Sequence, residues 1–97
     1  METSVIITKR FRKNSRKVYE YLLKNFSAQT AFDFLSKIED KIELIAVHPT
    51  IGKPSKTVDI RSCILEPYNL LYYRYQKDRI EVLCLFDMRA NPTKKPY

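Results

Sequence analysis

The side chains in this 97-residue chain that best suit binding or reaction chemistry are cations in its second half. Arg61, Arg74 and Arg89 fall in or beside β-rich segments, and Lys94 and Lys95 lie near the C-terminus. Tyrosines surround them, namely Tyr68, Tyr72, Tyr73, Tyr75 and Tyr97. Guanidinium groups bind phosphates and aromatic rings stack on bases, so this combination is typical of RNA or single-strand recognition.

Each of these groups also has a purely structural interpretation. Strand tyrosines are most often core residues whose hydroxyl reaches the rim. Arg61 and Arg89 are expected on the sheet face or at the polar end of a strand. An ion pair with Asp59 or Asp87 would explain these positions as well as a functional contact would.

Most forms of catalysis lack candidate groups here. The chain has one histidine, His48, and one glycine, Gly52, so neither a nucleophile–base pair nor a glycine-rich phosphate loop is supported. We expect no metal or cofactor site, because ligands are too few. His48 precedes Pro49 and is expected to cap a helix. The two cysteines, Cys63 and Cys84, are interpreted as small core residues in a reducing compartment.

The charge of the chain predicts an acidic partner. The net charge is +7 and the isoelectric point is near 9.5. Nucleic acids and acidic proteins are the partners that such a balance favours, although a soluble protein can simply be basic. The segment 9–17 contains six basic residues and no acidic residue. They form either a binding surface or a solvated helix face.

Two helices are predicted in the first half. Phe11, Val18, Leu22 and Phe26 recur at helical spacing, which predicts a helix over 11–25 after a short strand at 4–8. A second helix is predicted over 28–47, with Ser27 as its N-cap and Pro49 beyond its end. The segment 49–54 that follows it is predicted to be a turn-rich connector. Its apolar seam is Ala31, Leu35, Ile38, Ile42 and Ile45, widened by Phe34. The short connection makes the two helices an antiparallel hairpin.

Three strands are predicted to follow, over 58–65, 69–75 and 80–86. The last is apolar almost throughout, which predicts an interior strand covered on both faces. In the first, Arg61 is placed on the less apolar face. The fold class is α+β: an N-terminal strand, a helical hairpin and a three-stranded antiparallel meander, with the helices on one sheet face and the other face partly open.

The length predicts one domain over 1–97, with a core at about 4–92 and a basic tail at 93–97. Hydrophobic runs are much shorter than a membrane span, so a cytoplasmic protein with no membrane association is the default expectation.

The element order and several short motifs resemble the RelE/ParE superfamily of bacterial type II toxin–antitoxin toxins. The resemblance covers about residues 4–92. The stretches that carry it are Tyr21-Leu22, Phe26-Ser27, His48-Pro49-x-x-Gly52-x-Pro54, Arg61, the segment 68–73 and the segment 80–92.

This resemblance implies a growth-inhibiting, plasmid-stabilising toxin, neutralised in a hetero-oligomer by a co-encoded antitoxin that wraps it with a helix and an extended segment. The charge of the chain makes an acidic antitoxin the expected partner. RelE-like members cleave mRNA in the ribosome with a cluster of basic residues and a tail aromatic. ParE-like members inhibit DNA gyrase, with no known catalysis of their own.

The ribonuclease pattern is only partly present. The resemblance assigns catalytic roles to Arg61, Arg89 and Tyr97, but Cys63 and Asn69 occupy positions where cations are expected. Each lost transition-state contact could cost about 2–4 kcal/mol. We therefore favour gyrase inhibition. The alternatives are a ribosome-dependent mRNA endonuclease and a non-toxic domain that binds an antitoxin or nucleic acid. The residues expected to bind target or antitoxin are Arg61, Arg74, Asp87, Arg89, Asn91, Lys94 and Lys95.

Overall fold

The computed structural model describes residues 3–89 and 92–97 of the chain. Two helices pack on one face of a five-stranded sheet. The elements in chain order are β1 (Ser4–Ile7), α1 (Lys9–Asn25), α2 (Ala28–Val47), β2 (Lys53–Pro54), β3 (Ile60–Leu65), β4 (Asn69–Gln76), β5 (Arg79–Asp87) and a 3-10 turn (Pro92–Lys94).

The sheet order is β1-β5-β4-β3-β2. β1 pairs with β5 in parallel, and all other neighbours are antiparallel. The α+β prediction is therefore confirmed, with helices on one face of a mostly antiparallel sheet. β5 lies between β1 and β4, which confirms that the apolar segment 80–86 is an interior strand.

The helical hairpin forms as predicted, and its caps show why. Ser27 Oγ accepts a hydrogen bond from Thr30 N. α2 ends at Val47, and the amide of its C-cap residue His48 donates to Leu44 O. α1 begins two residues earlier than expected because Thr8 caps it through Phe11 N. Each cap satisfies an amide or carbonyl that would otherwise lack a helical partner.

Three local predictions are wrong. β3 begins at Ile60 rather than residue 58, because Asp59 has a positive φ of 66° and Val58 is 82% exposed. The connector after α2, predicted as turns, contributes the short edge strand β2. Leu35, placed in the α2 seam, is 37% exposed, and Phe34 occupies the core instead.

Apolar side chains are buried on both faces of the sheet. Under the helices they form a core with nine members: Phe11, Phe34, Ile38, Ile45, Leu65, Leu71, Tyr73, Ile80 and Val82. On the other face a second cluster contains Ile60, Leu70, Tyr72, Leu83 and Cys84. The C-terminal tail covers part of this second face, since the rings of Tyr97 and Tyr72 lie 5.4 Å apart. This face was predicted to be partly open, and the contact of the tail with it was not predicted.

A β-bulge in β5 changes which face its last residues occupy. Tyr72 pairs with Cys84 but Tyr73 pairs with Val82, so Leu83 is an extra residue. Leu83 and Cys84 both join the second cluster, while Leu85 returns to the helix side.

Thr8, the N-cap of α1, and Asn14 within α1 compensate for the irregular ladder at the bulge. The Thr8 hydroxyl shares its hydrogen between Val82 O at 2.8 Å and Leu83 O at 3.0 Å, and Asn14 Oδ1 accepts from Leu85 N at 3.1 Å. These side chains bind the edge of β5 beyond the end of β1, because the last pair between β1 and β5 is Ile7 with Val82.

No helix among the described residues is long and apolar enough to cross a membrane. Cys63 and Cys84 are free thiols, and both contribute to packing, which confirms their interpretation as core residues.

Candidate functional site

The end of β5 carries an exposed polar group, which we call the lip: Tyr68, Asp87 and Arg89. Arg89 donates from Nε to Asp87 Oδ1 at 3.1 Å and from Nη2 to Asp87 Oδ2 at 2.8 Å. Its guanidinium carbon lies 4.4 Å from the centre of the Tyr68 ring. Both contacts fix the guanidinium plane, as expected for a two-point pair and a cation–π contact.

The ion pair shifts the titration of both partners. The side-chain hydrogen bond from Arg89 lowers the pKa of the Asp87 carboxyl below its ordinary value of 3.8, against an opposing effect of burial. The same bond raises the pKa of Arg89, with smaller contributions from Tyr68 and Tyr21. At neutral pH the charges of Arg89 and Asp87 offset each other. The lip therefore presents an arginine that is fixed by its hydrogen bonds and partly neutralised.

Backbone pairing holds the lip in place. Asp87 is the β5 partner of Asn69, and Met88 N donates to Tyr68 O at 2.6 Å. The bulge at Leu83 reverses the alternation of β5 beyond it and turns Asp87 towards the helix side. The side chain of Arg89 therefore extends from an ordered strand end.

Arg61 has a different position and a different role from the one predicted. It shares its β3 face with Cys63 and Leu65, which pack into the helix-side core, so the placement on the less apolar face is wrong. Its Nη1 donates to Gly52 O at 2.8 Å and to Thr50 O at 3.2 Å. Arg61 thus holds the connector after α2 rather than an acidic side chain.

Tyr73 secures the same connector from β4. Its hydroxyl donates to Pro49 O at 2.6 Å and accepts from Gly52 N at 2.9 Å. A Cβ at Gly52 would lie 2.7 Å from the Tyr73 hydroxyl and 2.9 Å from Arg61 Cβ, so only glycine fits without a shift.

The sheet keeps Arg61 and Arg89 apart. Leu65, Asn69 and Asp87 are paired with one another across β3, β4 and β5, next to the lip. Arg61 pairs with Tyr73, which lies four residues from Asn69 along β4. Four strand residues span about 13 Å. The two arginines do not share one anion-binding centre.

The other predicted site residues are distributed over the second sheet face and the tail. Arg74 forms a cross-strand ion pair with Glu81 at 3.5 Å. Lys94 and Lys95 are exposed in the tail, and the Tyr97 hydroxyl accepts a 3.4 Å hydrogen bond from Arg10. Asn91 lies outside the described residues.

An open groove of about 1030 Å³ beside β3 was not predicted. β2 pairs only with Arg61 and Ser62, so within the part of the chain that the structure describes the rest of β3 has no strand on that side. The groove is lined by apolar side chains that include Leu65 and Leu70, by the carboxylates of Asp40 and Glu66, and by five lysines: Lys37, Lys41, Lys53, Lys56 and Lys95. Ile64 was the clue available in the sequence, because it is an apolar residue in a predicted strand. The structure shows it exposed at an uncovered edge, which indicates a docking surface.

Nucleophilic and metal chemistry find no support among residues 3–89 and 92–97. No group of three or more potential metal ligands occurs there. Burial raises the pKa of Cys63, against a lowering effect of Lys41, and burial also raises the pKa of Cys84. Both thiols are therefore protonated and weakly nucleophilic at neutral pH.

A family model described as the ParE toxin of type II toxin–antitoxin system, parDE, matches residues 5–92. No curated relative shows significant sequence similarity to the chain.

Several solved structures share the fold. The chromosomal ParDE toxin–antitoxin system from P. aeruginosa gives a TM-score of 0.76 at 16% identity, covering 89% of this chain and 96% of that chain. The E. coli DinJ-YafQ complex gives 0.61 at 12% identity, covering 93% and 97%. The conserved hypothetical protein HP0894 from Helicobacter pylori gives 0.55 at 22% identity, covering 92% and 97%. At these identities the likeness shows the architecture alone.

Proposed function

Because the chain belongs to the ParE toxin family of type II toxin–antitoxin systems, we propose that this toxin inhibits DNA gyrase by binding and does not cleave mRNA. The separation of Arg61 from Arg89 is the observation that supports the absence of mRNA cleavage. Cleavage of RNA without a histidine base needs cations gathered around one phosphate, and these two are held apart and already engaged.

The individual contacts support the same conclusion. Arg61 is hydrogen-bonded to two carbonyl groups of the connector. Arg89 is paired with Asp87, so a substrate phosphate would have to compete with a carboxylate for it. The Tyr97 ring packs on Tyr72. Cations whose donors are already engaged have fewer hydrogen bonds to offer a transferring phosphoryl group.

The groove beside β3 suits the antitoxin. An antitoxin partner is a property of the family, and we assign to it an acidic, extended segment that adds to the open edge of β3. The unpaired edge offers backbone hydrogen bonds, the apolar lining offers contacts for apolar side chains, and the five lysines, which outnumber Asp40 and Glu66, attract carboxylates.

Two assays on the same preparation test the target. The purified toxin is added to gyrase with relaxed plasmid, and separately to a translation reaction whose mRNA ends are mapped. We expect inhibition of supercoiling and intact mRNA. Codon-phased cuts that disappear in Arg89→Ala and persist in the matched surface variant Arg79→Ala would overturn the proposal and favour the ribonuclease.

The antitoxin assignment has its own test. The co-encoded neighbouring protein is co-purified with the wild type and with Ile64→Asp, which places a carboxylate in the groove. We expect the variant to lose the partner, whereas Val58→Asp, also at an exposed apolar position but outside the groove, retains it. Equal retention by both variants would contradict docking at β3.

A further inference from the structure

The exposed side of α1 concentrates almost all of the net charge of the protein. Its six cations are all exposed, while Phe11 faces the core and Asn14 faces β5. We call this surface the α1 basic face: Lys9, Arg10, Arg12, Lys13, Arg16 and Lys17. Outside it the chain has twelve basic and eleven acidic residues, which is close to neutral. The net charge of +7 is therefore a local feature of one helix face.

This arrangement is unfavourable for the helix itself. The cations occupy its N-terminal half, where the helix dipole favours acids, and the first turn has none. Like charges four residues apart, as in Lys9 and Lys13 or Arg12 and Arg16, each destabilise a helix by a few tenths of a kcal/mol. The described ion pairs, Arg74–Glu81 and Arg89–Asp87, include no cation of this face. The outer face of α2, by contrast, alternates in sign.

The density of charge matches that of a nucleic-acid duplex. Six charges over nine helical residues span about 12 Å, or roughly one charge per 2 Å, and duplex DNA carries one per about 1.7 Å of its axis. Phe11, the one aromatic residue within the segment 9–17, is buried, so the face lacks the stacking platforms that single strands require. These features favour contacts with phosphates along a duplex.

We propose that the α1 basic face binds the phosphate backbone of a nucleic-acid duplex, without reading its sequence. No residue of this face belongs to the lip or lines the groove beside β3, and the two surfaces adjoin where Arg10 donates to the Tyr97 hydroxyl. The inference goes beyond the gyrase target and is independent of it, because it concerns direct binding of nucleic acid by the toxin alone.

Fluorescence anisotropy with labelled 20-base-pair DNA duplexes of two unrelated sequences tests the proposal, alongside an RNA duplex and a DNA single strand of equal length. We expect both DNA sequences to bind equally. The logarithm of affinity should fall against the logarithm of salt concentration with a slope of about −4 to −5, as for four to six phosphate contacts. This slope is measured on the wild-type protein, so it tests phosphate binding even if a variant fails to fold.

The variant R12Q/K13Q/R16Q removes three cations of the face, and K24Q/K77Q/R79Q removes three exposed cations outside the face, the lip and the groove as a matched control. We expect the first to reduce the magnitude of the slope by about 3 and the second to change it little. Thermal unfolding by circular dichroism checks folding, and the first variant should melt no lower than the control because repulsion is relieved.

Preference for the RNA duplex over DNA, with the same loss in the first variant, would support the binding surface and identify RNA as the source of the phosphates. Equal losses in the two variants would overturn the proposal, since net charge alone would explain binding. Stronger binding of the single strand, or a wild-type slope near zero, would also overturn it.

Discussion

Arg89 and Asp87 form a two-point ion pair at the end of β5, with the shorter contact at 2.8 Å. An arginine that would be available to a phosphate in an open site is here paired with a carboxylate two residues away and stacked on Tyr68. The pair converts an apparent catalytic cation into part of an ordered surface. It also makes the lip sensitive to pH.

The Asp87 carboxyl should titrate below its ordinary pKa of 3.8 because it accepts hydrogen bonds from Arg89. Its folded-state pKa is depressed, so the stabilisation is complete above the ordinary carboxyl pKa and is lost as pH falls through the folded value. NMR titration of the carboxyl carbon should show the depressed pKa in the wild type and a nearly ordinary one in Arg89→Gln. Identical pKa values in both would show that the pair does not form in solution.

Tyr73→Phe should destabilise the fold by about 1–3 kcal/mol, because it leaves the buried Gly52 amide without an acceptor. It also removes the donor to Pro49 O. The matched control is Tyr75→Phe, on the same face of β4, for which the structure shows no side-chain hydrogen bond among the described residues. Urea unfolding of both variants measures the difference. A Tyr73→Phe variant as stable as Tyr75→Phe would contradict the role of the hydroxyl.

Asn14→Ala should reduce the free energy of unfolding by about 1 kcal/mol, since Leu85 N would lose its acceptor beside the bulge. Alanine has the higher helix propensity, so a helix effect alone would act in the opposite direction. Asn25→Ala, at the exposed end of α1, is the control and should change stability less. Chemical denaturation of the two variants gives the comparison, and equal effects would argue against the α1 contact to β5.

Both cysteines should react slowly with alkylating reagents at neutral pH. Burial raises the pKa of each thiol, so the thiolate fraction is smaller than in a free cysteine, and access is restricted. Mass spectrometry after timed exposure to iodoacetamide should show slow modification in the native protein and fast modification in denaturant. Fast native modification of Cys84 would contradict its place in the second cluster.

The architecture could be predicted from the sequence because hydrophobic periodicity and capping residues agree with each other. The α2 boundaries follow from Ser27 and Pro49, and the interior position of β5 follows from its continuous apolar run. The two-residue turn at Lys77 and Asp78, where both residues have positive φ, has the geometry that joins strands of a hairpin. Each of these features depends on neighbouring residues in the chain.

The site could not be predicted as well, because it depends on contacts between distant segments. Nothing local in the sequence indicates the bulge at Leu83, which decides the face on which Asp87 lies. The engagement of Arg61 by the connector requires Gly52 and Tyr73 to be placed first. The coverage of Tyr72 by Tyr97 depends on the path of the tail, which no periodic pattern defines.

Gyrase inhibition is tested by a supercoiling assay with the purified toxin in the absence of ribosomes and mRNA. We expect relaxed plasmid to stay relaxed as toxin is added, and prior addition of the cognate antitoxin to restore supercoiling. Undiminished supercoiling at toxin concentrations that cleave mRNA on translating ribosomes would contradict gyrase inhibition.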